Sequence, residues 1–155
     1  MALKDVAALK KFLKPFPDEV VERALWLREL MWKTFPNTNE LIYDNYNAVA
    51  VGWAPTEKVG HTFCSIAVGR TSYNVHCGFY WGSKIADPKK MLRGEGNQYR
   101  YLLLDDIKTF PKAYAKELMN KAYDYSMSLV KNEKDLKQGL TIVKSISPSK
   151  RTRKK

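Results

Sequence analysis

Polarity alternates with a period of two over residues 62–68 and again over 73–80, on either side of Gly69-Arg70-Thr71-Ser72. Such alternation bounded by turn residues predicts a β-hairpin. Setting Val68 opposite Tyr73 brings Cys64 opposite Cys77 and Ser65 opposite His76. Successive strand residues point to opposite faces, and cross-strand partners share one face. One face then carries Thr62, Cys64, Ile66, Val68, Tyr73, Val75, Cys77 and Phe79, and is expected against the core. The other carries His61, Phe63, Ser65, Ala67, Asn74, His76, Gly78 and Tyr80, a mixed set suited to a half-solvated surface or a ligand groove.

Elsewhere the apolar spacing is helical. Val6, Leu9, Phe12 and Leu13 predict a short helix over 5–13, ended by Phe16-Pro17. Val20, Ala24, Leu27, Met31 and Phe35 recur at every third or fourth position in a second helix, which opens near Pro17-Asp18 and stops at Pro36. Ala115, Leu118, Met119, Ala122, Tyr125, Leu129 and Val130 form the stripe of a third, opening at Thr109 to Pro111. Residues 41–43, 48–53 and 99–104 read as strands, 87–92 as a short helical segment, and 140–146 as a short strand or a surface-packed segment. Helices, then about five strands with short connections, then a helix, predict an α+β fold: an antiparallel sheet with helices packed on one face.

Length and composition narrow the class. A chain of 155 residues, 45% apolar and 12% aromatic, is expected to form one domain with a single core. No apolar run approaches the roughly 20 residues of a membrane span. The N-terminal residues lack the apolar stretch and cleavage site of a signal peptide, so a cytoplasmic location and no membrane partner are expected. Two cysteines make no disulfide framework and read as reduced core thiols. The net charge is +11, and six basic residues with no acid fall within 144–155. The expected organisation is therefore a domain over 1–143 and a basic, disordered tail over 144–155. Lys150, Arg151, Arg153, Lys154 and Lys155 would attract phosphate backbones in a salt-dependent way, so nucleic acid is an alternative partner.

Catalytic motifs are missing: there is no HExxH, P-loop or nucleophile elbow. Gly94-Glu95-Gly96 has Tyr99 where a dinucleotide fingerprint needs its third glycine, and reads as a turn. His61, Cys64, His76 and Cys77 suggest zinc by type, but the hairpin puts the thiols on one face and the imidazoles on the other, so no metal and no cofactor is expected. Ser65 and His76 are a conceivable nucleophile and base, yet no orienting carboxylate or oxyanion hole accompanies them, so the chain does not read as an enzyme. The candidate binding face is built on His76, Tyr80, Ser65 and Asn74, with Trp53 and Arg100 as neighbours. The expected function is binding of a small ligand or a protein partner.

Spaced residues carry a family resemblance. Leu27-Arg28-Glu29-Leu30, then Pro36, Glu40, Ile42 and Tyr43, then 63–67 and 76–79, then Asp87-Pro88, Leu92, Gly94, Gly96, Arg100 and 102–104 resemble the bacterial YdhG-like family of unknown function over about 5–130. The resemblance implies a compact α+β domain with an antiparallel sheet. Some members are similar to frataxin-style intracellular iron chaperones, which implies a carboxylate cluster that this basic chain does not display. The Gly-Met-Pro segment that many relatives carry after the Tyr43 position is also missing from 48–53. Arg100 is expected to pair with an acid such as Glu40 or to hold an anion.

Overall fold

A computed structural model describes residues 6–152. In chain order they form α1 (Val6–Leu13), α2 (Asp18–Thr34), β1 (Asn39–Asp44), β2 (Ala48–Ala54), β3 (Cys64–Gly69), β4 (Val75–Phe79), β5 (Arg100–Leu103), α3 (Lys112–Leu129) and β6 (Thr141–Ile146), with short 3-10 turns in three of the connections. The class is α+β. Pro17 precedes α2 with extended backbone, and Asp18 and Glu19 sit in its first turn, where the helix dipole favours negative charge. Among the described residues no helix is long and apolar enough to cross a membrane.

The sheet has six strands in the order β5-β4-β3-β2-β1-β6. Four neighbouring pairs are antiparallel, as expected of strands joined by short connections. The fifth pair, β1 with β6, is parallel, so the sheet is mixed and not purely antiparallel. The crossover through α3 is long enough to return the chain in either direction, and sequence spacing alone does not say which. The tail boundary expected between 143 and 144 falls inside β6. Beyond β6 the chain stays attached: the Ser147 and Arg151 backbone N–H groups donate to the carbonyls of Asp44 and Tyr46. Arg153, Lys154 and Lys155 lie outside the described residues.

The β3–β4 hairpin forms with Val68 opposite Val75, two residues from the expected pairing. The turn is longer than four residues: Tyr73 adopts a left-handed conformation (φ 59°) and packs edge-on against Phe16. Cys64 therefore faces Phe79, Cys77 faces Ile66, and His76 faces Ala67 instead of Ser65. A shift of two keeps every side chain on its expected face, where a shift of one would have inverted them. The exceptions lie before β3. Phe63 turns into the helix layer beside Phe35 and Tyr123, and the Thr62 methyl lies over Gly52 on the opposite face.

The core sits between the sheet and the helices. Val49, Val51, Trp53, Cys64, Ile66, Val68, Val75, Cys77, Phe79, Leu102 and Leu104 join apolar residues of all three helices in one cluster. Both cysteines are buried and free, and burial pushes the Cys77 thiol up to about 12 and Cys64 well above its ordinary value. One ion pair crosses this core: Arg28 of α2 grips Glu40 of β1 through Nε–Oε2 at 2.6 Å and Nη2–Oε1 at 2.8 Å. Thr141 of β6 donates to the same carboxylate at 2.8 Å. The helical segment expected over 87–92 is a tight turn instead. The Asp87 carboxylate accepts the Met91 and Leu92 backbone N–H groups and the Tyr114 hydroxyl, and Lys90 is left-handed.

Candidate functional site

The sheet has a second face, and the residues that build it are small or aromatic. Two rows run across it. Tyr43, Ala50, Ala67, His76 and Leu103 lie in one row, and Leu41, Gly52, Ser65, Gly78 and Tyr101 in the next. Tyr80 and Tyr99 stand beyond them by strand alternation. Within β1 to β5 no Asp, Glu, Lys or Arg belongs to these rows, and Arg93, bridged to Tyr101, extends the second row at the sheet edge. Ala50, Ser65, Ala67, His76, Tyr101 and Leu103 are each partly exposed, and none belongs to the core cluster. The corner at Leu41 and Gly52 is closed by Thr62, and Gly78 is buried beneath the Tyr99 hydroxyl.

The centre of the face is a floor without bulk: Ala50 and Ala67 in one row, Gly52, Ser65 and Gly78 in the other. Aromatic rings rise on both sides. His76 stacks on Tyr101 with ring centroids 3.8 Å apart and planes 3° from parallel, and Tyr99 stacks on Tyr101 at 6.0 Å and 24°. Opposite them stands Tyr43. Burial raises its phenol above the ordinary value, and the phenol of Tyr80 adds to the rise, so the two hydroxyls lie within electrostatic reach.

Polar atoms on the face are few and incompletely satisfied. The Tyr43 hydroxyl and Thr62 Oγ1 are buried with no hydrogen-bond partner among the described residues. The Tyr99 hydroxyl meets Ser65 over Gly78, with a geometry that falls short of a directed hydrogen bond. Burial pushes the Tyr99 phenol up, and contact with Ser65 offsets only part of that. Burial likewise lowers the pKa of His76, so its imidazole is neutral near pH 7. Tyr43, Tyr99 and His76 are thus each biased toward the uncharged form.

The predicted site residues divide. His76 and Ser65 are on this face, Tyr80 lies along its rim, and Asn74 is exposed at the hairpin end. Trp53 is not: it is fully buried on the core face, edge-on to Trp32. Arg100 falls in the Trp53 and Phe79 row, and its guanidinium donates to the carbonyls of Gly96 and Tyr99. The acid expected for it, Glu40, is taken by Arg28. Ser65 faces Gly78, and the His76 ring is occupied by Tyr101, so the two do not form a nucleophile–base pair. His61 stands apart, with Nδ1 2.7 Å from Thr56 Oγ1. Among the described residues no three of His, Cys, Asp and Glu could share a metal ion.

Tyr43, Tyr99 and Tyr101 were not singled out by sequence reasoning. The signal was present, since alternation through 99–104 puts Tyr99, Tyr101 and Leu103 on one side and Arg100, Leu102 and Leu104 on the other. Alternation through 48–54 likewise groups Trp53 with Val49 and Val51.

No family model, curated protein or solved structure matches this chain. The site is therefore interpreted from its chemistry alone. An uncharged, partly exposed surface with a low floor and stacked rings can take up a flat group by dispersion and ring stacking.

Proposed function

We propose that this chain is a non-catalytic binding domain that holds a flat, weakly charged ring system on the open face of its sheet. One observation carries the reading: the partly exposed floor of Ala50, Ala67 and Ser65 is bordered by the His76–Tyr101–Tyr99 stack and carries no charge. A surface meant only for solvent would bear the charged side chains that cover the rest of this chain. The residues shared with the YdhG-like family accord with such a domain, and we adopt that affiliation as part of the proposal. An iron-chaperone role is disfavoured, because its carboxylate cluster is not among the described residues.

Nucleic acid is the second reading, since an aromatic sheet face can stack bases and the tail is basic. It is the weaker one. Lys150 is committed to Asp44 at 3.0 Å, which leaves less free charge beside the face.

The test is a titration of the full chain with neutral heteroaromatic fragments and, separately, with short single-stranded oligonucleotides at two salt concentrations. Amide shifts are followed by NMR in the wild type and in Tyr101→Ala. Salt-independent shifts at Ala50, Ala67 and His76, weakened about tenfold by Tyr101→Ala, are expected if a ring stacks there. Shifts only with oligonucleotide and only at low salt would transfer the function to the tail. No shift on the face with any fragment would sink the proposal.

A further inference from the structure

We propose that β6 is a docking edge at which an extended, acidic segment of a partner protein adds to the sheet as a seventh strand. β6 ends the strand order and pairs only with β1. An edge strand presents a row of backbone N–H and C=O groups to any chain that can lie alongside it. The opposite edge of this sheet is closed: Arg93 exchanges both backbone hydrogen bonds with Tyr101 of β5. β6 has no such cover among the described residues.

Native edges are usually blunted by proline, by protruding charge or by brevity. β6 has six residues and no proline. Its one charged residue, Lys144, lies at the register shift with its ammonium directed to the Glu57 carbonyl at 2.9 Å. Beside Lys144 and Ser145, β6 exposes apolar side chains: Val143 is 41% and Ile146 60% exposed, with Leu140 at 39% just before the strand. The strand is also held ready. Thr141 bonds Glu40, Ser147 N–H donates to the Asp44 carbonyl at 2.8 Å, and Lys150 grips the Asp44 carboxylate.

Charge selects the occupant. After Asp135 the chain contains Lys137, Lys144, Lys150, Arg151, Arg153, Lys154 and Lys155 and no acid. Pairing β6 with a second copy would set two such tracts side by side, which like charges oppose. A nucleic acid would satisfy the charge but neither the strand edge nor Val143 and Ile146. An extended segment alternating acidic and apolar residues satisfies all three.

The experiment uses the full chain and amide hydrogen exchange read by NMR. The probes are an eight-residue alternating Glu/Val peptide, the same peptide N-methylated along one edge, its Lys/Val counterpart, and an oligonucleotide of equal charge. The Glu/Val peptide should slow exchange in β6 about tenfold while the N-methylated and Lys/Val peptides do not. Val143→Thr with Ile146→Thr, both on exposed side chains, removes apolar contact without adding charge and should weaken that binding about tenfold. Equal binding of the N-methylated peptide, equal protection of β6 by the oligonucleotide, or self-association through β6 in the absence of peptide would each overturn the proposal. The N-methylated comparison leaves the protein unaltered, so the outcome does not depend on how the variant folds.

Discussion

Single atoms decide the shape of the open face. A Cβ built on Gly78 would lie 2.6 Å from Ser65 Oγ and closer still to the Tyr99 hydroxyl. Gly78→Ala is therefore expected to push Tyr99 out of the stack and to cost about 1–3 kcal/mol, the usual range for overpacking, measured by denaturant unfolding. His76 gives a pH test. Its folded pKa lies below the unfolded value because burial disfavours the charged ring. The unfolded chain then binds the extra proton as pH falls past about 6.5, so stability present above that pH declines until the folded pKa is passed. Stability curves of wild type and His76→Gln should converge in shape above pH 7.5 and diverge below 6.5, with only the wild type losing the His-linked part. Identical slopes in that window would remove His76 from the account. At this scale the sequence was informative where alternation was followed through: His76 and Ser65 were placed on the open face because strand parity survives a two-residue shift. Trp53 and Arg100 were misplaced because parity in their own strands was not applied to them.

Between elements, the main tie is the buried Arg28–Glu40 pair, which joins α2 to β1 and, through Thr141, to β6. The side chains are 2% and 0% exposed, so neither charge has water to fall back on. Glu40→Gln should destabilise by about 3–5 kcal/mol, whereas replacing both partners with apolar residues of similar volume should restore much of the loss. Equal unfolding midpoints for the single and double variants would argue against a buried charge as the cause. Sequence spacing did not reveal this tie. It assigned Glu40 to Arg100, because pairing between residues 12 positions apart on a helix and a strand depends on how the helix lies over the sheet. The tail follows the same logic. Residues 140–146 read as a short strand or a surface-packed segment, and 141–146 become a strand because β1 offers an unpaired edge. Asp44 then holds both Arg70 of the hairpin turn and Lys150 beyond β6, fastening three distant segments at one carboxylate.

For the whole molecule, the sheet has one face packed under the helices and one left partly open. Helices cover one side, and the thiols of Cys64 and Cys77 are sealed there with raised pKa values. Both should resist a thiol reagent at neutral pH and react only at the rate of opening of the core, with labelling accelerated in parallel by denaturant; rapid labelling in native buffer would contradict this burial. The other side carries the face proposed for a ligand, and β6 is the edge proposed for a partner. The amino-acid sequence by itself determined the α+β class, the three helical stripes, the hairpin and the faces of its strands, because those follow from local periodicity of 3.6 and 2. Only the tertiary structure decided the sixth strand and its direction, the partner of Glu40, the turn over 87–92 and the His76–Tyr101–Tyr99 stack. Each of these depends on contacts between segments far apart in the chain, whose energies are set by packing and register and leave no period in the sequence.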